Sequence, residues 1–423
     1  MKADNAQPSI HFSTLGGKIE TPVIVDLMAR ALSNPALLSL AAGFTDNEVL
    51  PKELVGDCVA ALTAAAQSNE ALQYGSNQGR LRLRELTCEF LATYPGERSS
   101  AFQPDDVFIT NGSQQALYMA AQTLCDPGDI VLVQEPSYFV CLEMLRGLGL
   151  RPVGMPCDPA GAIIADELEG LLAELERKGE RDRVKAVYLV SYFGNPSSRS
   201  MPAAEKQAMA DCLRSHGFIV PVIEDAAYRE LYYDAPYPAP TIFTMPAFDC
   251  FPKLYLGTYT KPFATGLKIG YGICSHAAWR DKMLCMKGHQ DFGSSHFNQA
   301  IIERVLDQGL YAAHLSNIQG HYAGKATVLN DALEASGLRA GGWHWEKPGG
   351  GLIFWLRGPA GADLRMDRGF CTRCIDSGVL YVPGDLCFTG GNPLNYARVS
   401  TGALPPDKIR IAVERFAQVA LSD

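Results

Sequence analysis

Short apolar runs alternating with amphipathic stretches constrain this chain more than any other feature. Residues 106–110 (DVFIT), 129–133 (DIVLV), 184–190 (VKAVYLV), 218–223 (FIVPVI) and 253–257 (KLYLG) each carry such a run. Runs of this length, bounded by turn residues, predict strands buried on both faces. Between them, residues 114–124 and 203–216 repeat their apolar positions at helical spacing. The alternation predicts an α/β fold: a mostly parallel central sheet wrapped by helices. After residue 305 the texture changes. Helical patterns at 310–336 and 365–377 flank strand-like segments at 351–356 and 395–400, which predicts a smaller α+β domain. A chain of 423 residues is long for a single core. The expected partition is an N-terminal arm with part of the small domain (1–50), a large domain (51–305) and a small C-terminal domain (306–423).

Composition narrows the partners. With 37 basic and 46 acidic residues the formal charge is −9, the wrong sign for obligatory nucleic-acid binding. No stretch of 18 apolar residues predicts a membrane span. The polar start, Met1 to Ile10, predicts no signal peptide. The 12 cysteines are scattered singly through apolar segments, as at Cys58, Cys125, Cys141, Cys212 and Cys274. That pattern fits buried thiols in a reducing compartment, so the cytoplasm is the expected location. The one C-x-x-C, Cys371 to Cys374, falls in a predicted helix without a second pair or a nearby His. No metal is expected there or elsewhere, and His289 and His296 are too isolated to read as ligands.

Open parallel sheets bind ligands outside the carboxyl ends of their strands, so the residues after each run bear the chemistry. Asn111-Gly112-Ser113 follows a strand and opens a helix. The N–H groups of Ser113 and Gln114 would face an anion there, although a plain N-cap serine reads the same way. Tyr138 could stack on a flat heteroaromatic ring or simply pack. Asn195 offers a side-chain donor toward a phenolate-like oxygen. Asp225 ends the next run, with Tyr228 three residues on. A buried carboxylate needs a partner, and a protonated pyridine nitrogen is one; capping a helix that starts near Ala226 is the competing role. Lys261 lies just past the last run, between Thr258, Thr260 and Lys268, in a stretch poor in other charges. A lysine that forms an imine needs a lowered pKa, which burial near another cation supplies.

The order and spacing of these segments resemble fold-type I pyridoxal-phosphate enzymes, in particular class I/II aminotransferases close to the 2-aminoadipate and aromatic amino acid group. The resemblance runs from about residue 38 to about residue 418. It rests on QYGSNQGRLRLRE, ITNGSQQAL, EPSYF, the Asn195-Pro196 turn, EDAAYREL, YTKPFATGLKIGY, KPGGGLIFWL, VPG and YARVS taken in order. It implies pyridoxal 5'-phosphate as cofactor, held by Lys261 as a Schiff base, with Lys261 then shuttling the substrate proton. It further implies Asp225 on the pyridine nitrogen, Asn195 and Tyr228 on the ring oxygen and Tyr138 stacked on the ring. Ser113, Gln114, Thr258, Thr260 and Lys268 would hold the phosphate. Arg398 would clamp the substrate carboxylate with Asn195 and Gly43. Tyr74 would reach the phosphate from a neighbouring subunit, which implies a homodimer with shared sites.

The sequence departs from the family pattern in four places. Lys268 stands where an arginine is usual, and Ser198 where a glycine is usual after Asn195-Pro196. Gly43-Phe44-Thr45-Asp46 replaces Gly-x-Pro, so the substrate entrance is expected to be built differently. Ser400-Thr401-Gly402 replaces Ser-Tyr-Ala. The expected activity is ping-pong transfer of an amino group between an L-amino acid and a 2-oxo acid. A lyase or oxidase on the same fold is the alternative, and a non-catalytic binding protein a third. Phe44, Tyr74 and Tyr138 favour a donor with an apolar or long flexible side chain.

Overall fold

A computed structural model describes residues 10–422 apart from 24, 26–28, 30–32, 35, 42, 65–67 and 367. A short strand, β1 (Leu38–Ser39), leads into the chain. The central sheet comprises β2 (Val107–Asn111), β3 (Ile130–Gln134), β4 (Arg151–Met155), β5 (Val184–Val190), β6 (Val222–Asp225), β7 (Lys253–Thr258) and β8 (Ile269–Cys274), in the order β2-β8-β7-β6-β5-β3-β4. Every neighbouring pair is parallel except those made by β8, which is antiparallel to both β2 and β7. The carboxyl ends of β2, β3, β5, β6 and β7 therefore share one edge, and β8 starts where they end.

The five expected strands are present, with one correction. The fourth starts at Val222, not at 218. Pro221 has no N–H to give a ladder, and its carbonyl instead accepts from Val187 N at 2.9 Å as pairing begins. Two further strands of this sheet carry no apolar run and were not expected. β4 (RPVGM) is an edge strand with only its last residue buried. β8 (IGYGIC) is fully buried, yet its glycines interrupt the apolar pattern. Those glycines are steric: a Cβ on Gly270 would sit 2.5 Å from the carbonyl carbon of Gly112 and 2.6 Å from Ser113 N.

Helices occupy Gly112–Leu124, Ala203–Ser215, Leu310–Ala335 and Gly369–Asp376, matching the four helical patterns. The longest, Leu310–Ala335, joins two cores. Tyr311, Leu315, Ile318 and Tyr322 pack into the core against the large sheet. Ala326, Leu329 and Leu333 pack with Trp343, Phe354, Phe370 and Phe416 in a second core. At about 1.5–3 kcal/mol for each large apolar side chain buried, this helix is a principal link between them. The second core takes in residues of β9 (Ile353–Arg357), β10 (Val379–Leu380) and β12 (Tyr396–Ser400), while Val382 of β11 (Val382–Pro383) packs in a neighbouring cluster with Leu37, Phe139 and Leu380. β12 pairs antiparallel with both β9 and β11, and β1 adds to β10. Cys371 and Cys374 are buried helix residues, and none of the cysteines forms a disulfide. No helix among the described residues is long and apolar enough to cross a membrane.

Candidate active site

At the shared carboxyl edge a cavity of about 470 Å³ opens between the sheet and the second core. Its walls come from the strand ends: Gly112, Ser113 and Gln114 after β2, Tyr138 after β3, Asn195 after β5, Asp225 and Tyr228 from β6, and Thr258, Thr260 and Lys261 from β7. Lys268 enters from the residue before β8, which the antiparallel direction of that strand brings to the same edge. Arg398 on β12 and Gly43 with Phe44 complete it.

Lys261 points its amine into this space and donates to Gly43 O at 2.6 Å. Burial, then the charges of Lys268 and Arg398, lower its pKa to about 8. A pKa near 8 leaves the amine mostly protonated near physiological pH but with far more of the neutral form than an ordinary lysine has, and imine formation uses that neutral form. Asp225 is 6% exposed and meets no cation among the described residues. Its Oδ2 accepts from the Tyr188 hydroxyl at 2.9 Å and its Oδ1 from Ala227 N at 3.1 Å. The second bond is a turn contact rather than a helix cap, because no helix begins at 226. Burial raises the Asp225 pKa to about 6 even so. Such a carboxylate is poised for a cation that the protein itself does not supply.

The helix Gly112–Leu124 presents an open N-terminus. Its N-cap, Asn111, makes no side-chain cap and instead donates to Asp291 Oδ2 at 2.9 Å. Gly112 takes φ +69°, a conformation that favours glycine. Thr258 and Thr260 face each other through their hydroxyls at 2.8 Å. Lys268, with φ +57°, is exposed at the same end. The uncapped helix terminus, two hydroxyls and a lysine form an anion cradle.

Arg398 is 2% exposed, yet no carboxylate among the described residues pairs with it. It donates to Asn195 Oδ1 at 3.2 Å and to Ala41 O, and lies 5.6 Å from the Phe139 ring centroid. Its Nε has no partner. Burial pulls its pKa below the usual guanidinium range. A buried, acid-free guanidinium at a cavity wall is a receptor for a carboxylate brought by a ligand.

Three cationic side chains against one carboxylate thus line the cavity, which suits a ligand bearing both a phosphate and a carboxylate. The donor set fits pyridoxal phosphate: an amine for the aldehyde, an acid for the ring nitrogen, a ring in Tyr138 and a cradle for the phosphate. Ser113, Gln114, Tyr138, Asn195, Asp225, Tyr228, Thr258, Thr260, Lys261, Lys268, Arg398 and Gly43 all line this one cavity. Tyr74 does not; it is 86% exposed on the chain's surface. Tyr188, which holds Asp225, escaped the sequence reading because a tyrosine inside an apolar strand looks like core. Phe139 and Val140, which add apolar wall, open the helix after Tyr138 and look like packing residues.

Comparison with known proteins agrees with this geometry. The family described as aminotransferase class I and II matches residues 37–416. Aromatic-amino-acid aminotransferase 1 of Thermococcus litoralis is 30% identical over 384 residues, covering 90% of this chain and 87% of that one. The 2-aminoadipate transaminase of Thermus thermophilus is 27% identical over 406 residues, covering 96% and 95%. Among solved structures, the kynurenine aminotransferase of Pyrococcus horikoshii in complex with PMP superposes with a TM-score of 0.86, at 28% identity over 97% of each chain.

Proposed function

The chain belongs to the class I and II aminotransferases and is a pyridoxal-phosphate-dependent transaminase, and from that premise we propose how its residues divide the work. Bound pyridoxal phosphate supplies an aldehyde to take the amino group and a protonated ring to accept the electrons left on Cα. Asp225 keeps the ring nitrogen protonated, with Tyr188 holding the carboxylate in place. Asn195 and Tyr228 would hold the ring through its phenolic oxygen, and Tyr138 would pack on it. Gly112, Ser113, Gln114, Thr258, Thr260 and Lys268 hold the phosphate. Arg398 binds the substrate carboxylate, with Asn195 and Gly43 beside it, and so fixes the direction of the Cα–H bond. Lys261 would anchor the cofactor, and its amine, when free, would serve as the base that takes the proton from Cα.

One observation carries this reading: the softened amine of Lys261 and the acid-free guanidinium of Arg398 share a single cavity. Phe44, Phe139 and Val140 make part of its wall apolar, which favours donors with an apolar or long flexible side chain. Incubating the enzyme with one donor and no acceptor tests the reaction type. Transamination leaves stoichiometric pyridoxamine phosphate, whereas a lyase or an oxidase would leave the pyridoxal form. A screen of donors against 2-oxoglutarate and pyruvate then identifies the pair.

The working unit in this reading is a homodimer. Leu72, Tyr74 and Phe292 are 64%, 86% and 75% exposed. Gly293 lies against the backbone of Ser76 and Asn77, which places the Phe292 turn near the segment that carries Tyr74. Tyr74 of one subunit would serve the phosphate of the other. Mixing Tyr74→Ala with Lys261→Ala protein should restore activity that neither has alone; no recovery in exchanged dimers would reject shared sites. The cytoplasm is the compartment this reading assigns, because the 12 cysteines are scattered singly through the sequence as in proteins of a reducing compartment.

A further inference from the structure

Asp46, two residues beyond the cavity wall at Phe44, is 5% exposed and heavily bonded. Its Oδ2 accepts from Lys325 Nζ at 2.6 Å and lies 2.9 Å from His321 Nε2. Its Oδ1 accepts from Glu48 N at 3.1 Å, and its own N–H donates to the Tyr322 hydroxyl at 3.0 Å. His321, Tyr322 and Lys325 all belong to the helix Leu310–Ala335. Lys325, itself 2% exposed, donates a second bond to Gly402 O at 2.8 Å. Gly402 lies four residues after Arg398, and a Cβ there would collide with Phe44 O. One buried cation therefore ties together two walls of the cavity: the loop of Gly43 and Phe44, and the chain leaving the strand that carries Arg398.

The arrangement joins two of the sequence departures. Asp46 stands in the segment that replaces Gly-x-Pro, and Gly402 ends the one that replaces Ser-Tyr-Ala. They meet at Lys325. A buried ion pair adds little net stability over an apolar pair of the same size, and its best-attested use is to fix a register. Phe44, two residues before Asp46, is 37% exposed at the cavity rim. A rim phenyl ring can favour one ligand side chain over another only if it is held in place.

We propose that Asp46, Lys325 and Gly402 form a clasp that positions Phe44 as the specificity wall, selecting donors whose large apolar side chain packs on its ring over small ones. This rests on the cavity being the substrate site. The three are positioning residues and touch no reacting atom.

Two variants break the clasp by independent routes. Gly402→Ala pushes on Phe44 O without changing any charge. The double variant Asp46→Asn, Lys325→Met removes both charges together and leaves no buried ion unpaired. Each is measured as holoenzyme for kcat and KM with phenylalanine and with alanine as donor, and for hydrogen exchange in residues 43–46. The expected result in both is a fall of roughly tenfold in the phenylalanine-to-alanine ratio of kcat/KM, carried by KM. Exchange in the loop should speed up while cofactor absorbance stays as in the parent. Unchanged exchange in both variants overturns the clasp, and faster exchange with an unchanged ratio overturns its role in selection. If the parent transfers no amino group from either donor, the substrate-site reading has failed instead, and the exchange measurement still decides whether the clasp holds the loop.

Discussion

The hydroxyl of Tyr188 donates to Oδ2 of Asp225 at 2.9 Å across the β5–β6 pair, deep in the sheet edge, and no cation among the described residues pairs with that carboxylate. The carboxylate is held in place but left short of charge compensation. Burial outweighs the two hydrogen bonds and raises its pKa from 3.8 to about 6. Between those values the folded apoprotein keeps a proton that the unfolded chain has lost. The folded state therefore loses stability as pH rises through that window, by roughly 3 kcal/mol once both states are ionised. Asp225→Asn removes the penalty. The variant apoprotein should match the parent below about pH 4 and exceed it in denaturant midpoint above about pH 6, while binding pyridoxal phosphate more weakly. A stability gap that does not change with pH would mean that Asp225 is not the buried acid described here.

Tyr188→Phe tests the same relationship from the other side. Losing a hydrogen bond to a charged group costs about 1.5–3 kcal/mol, so kcat should fall by roughly tenfold or more with little change in KM. A variant as fast as the parent would show that the phenol only packs.

The amine of Lys261, with its pKa lowered to about 8, must be neutral to capture an aldehyde. Capture of added pyridoxal phosphate by apoprotein should therefore accelerate with pH up to about 8 and level off above about pH 9. Lys268→Met removes a neighbouring positive charge and should move the midpoint upward. Borohydride reduction should fix the yellow cofactor at Lys261. Label on any other lysine, or a midpoint near 10, would overturn the assignment.

Arg398 is a buried cation that no acid among the described residues pairs with. Truncating one partner of a buried, hydrogen-bonded charge pair costs about 2–5 kcal/mol, so Arg398→Ala should raise KM for amino acids by roughly 30-fold or more. Cofactor should remain bound with its absorbance intact. An unchanged KM would place the carboxylate clamp elsewhere.

Gly270 has no room for a methyl group, because its Cβ would lie within 2.7 Å of three backbone atoms of Gly112 and Ser113. Gly270→Ala should push the phosphate turn away from β8, at a cost of about 1–3 kcal/mol in stability and with weaker cofactor binding by titration. Normal affinity in this variant would show that the turn does not hold the phosphate.

Much of this protein is written locally. A continuous apolar run with a polar residue after it reads as a strand and its end, so the parallel sheet and nearly every strand-end residue of the cavity were legible. Gly112 and Ser113 after β2, Asp225 at the end of β6 and Lys261 past β7 all belong to such local signals. The resemblance carried by those segments together added the cofactor and picked out Arg398. β4 and β8 were illegible for the converse reason, since proline and glycine erase the apolar pattern that marks a strand.

What tertiary structure decided is convergence. The antiparallel direction of β8 brings Lys268 beside Thr258, and the pairing of β5 with β6 sets Tyr188 against Asp225. Asp46 and Lys325 are 279 positions apart and meet only because the long helix packs into both cores. Propensity and hydrophobic period act over a few residues and determine which elements form. Which charges face each other depends on which surfaces are buried together, and burial also moves Lys261 and Asp225 away from ordinary ionisation.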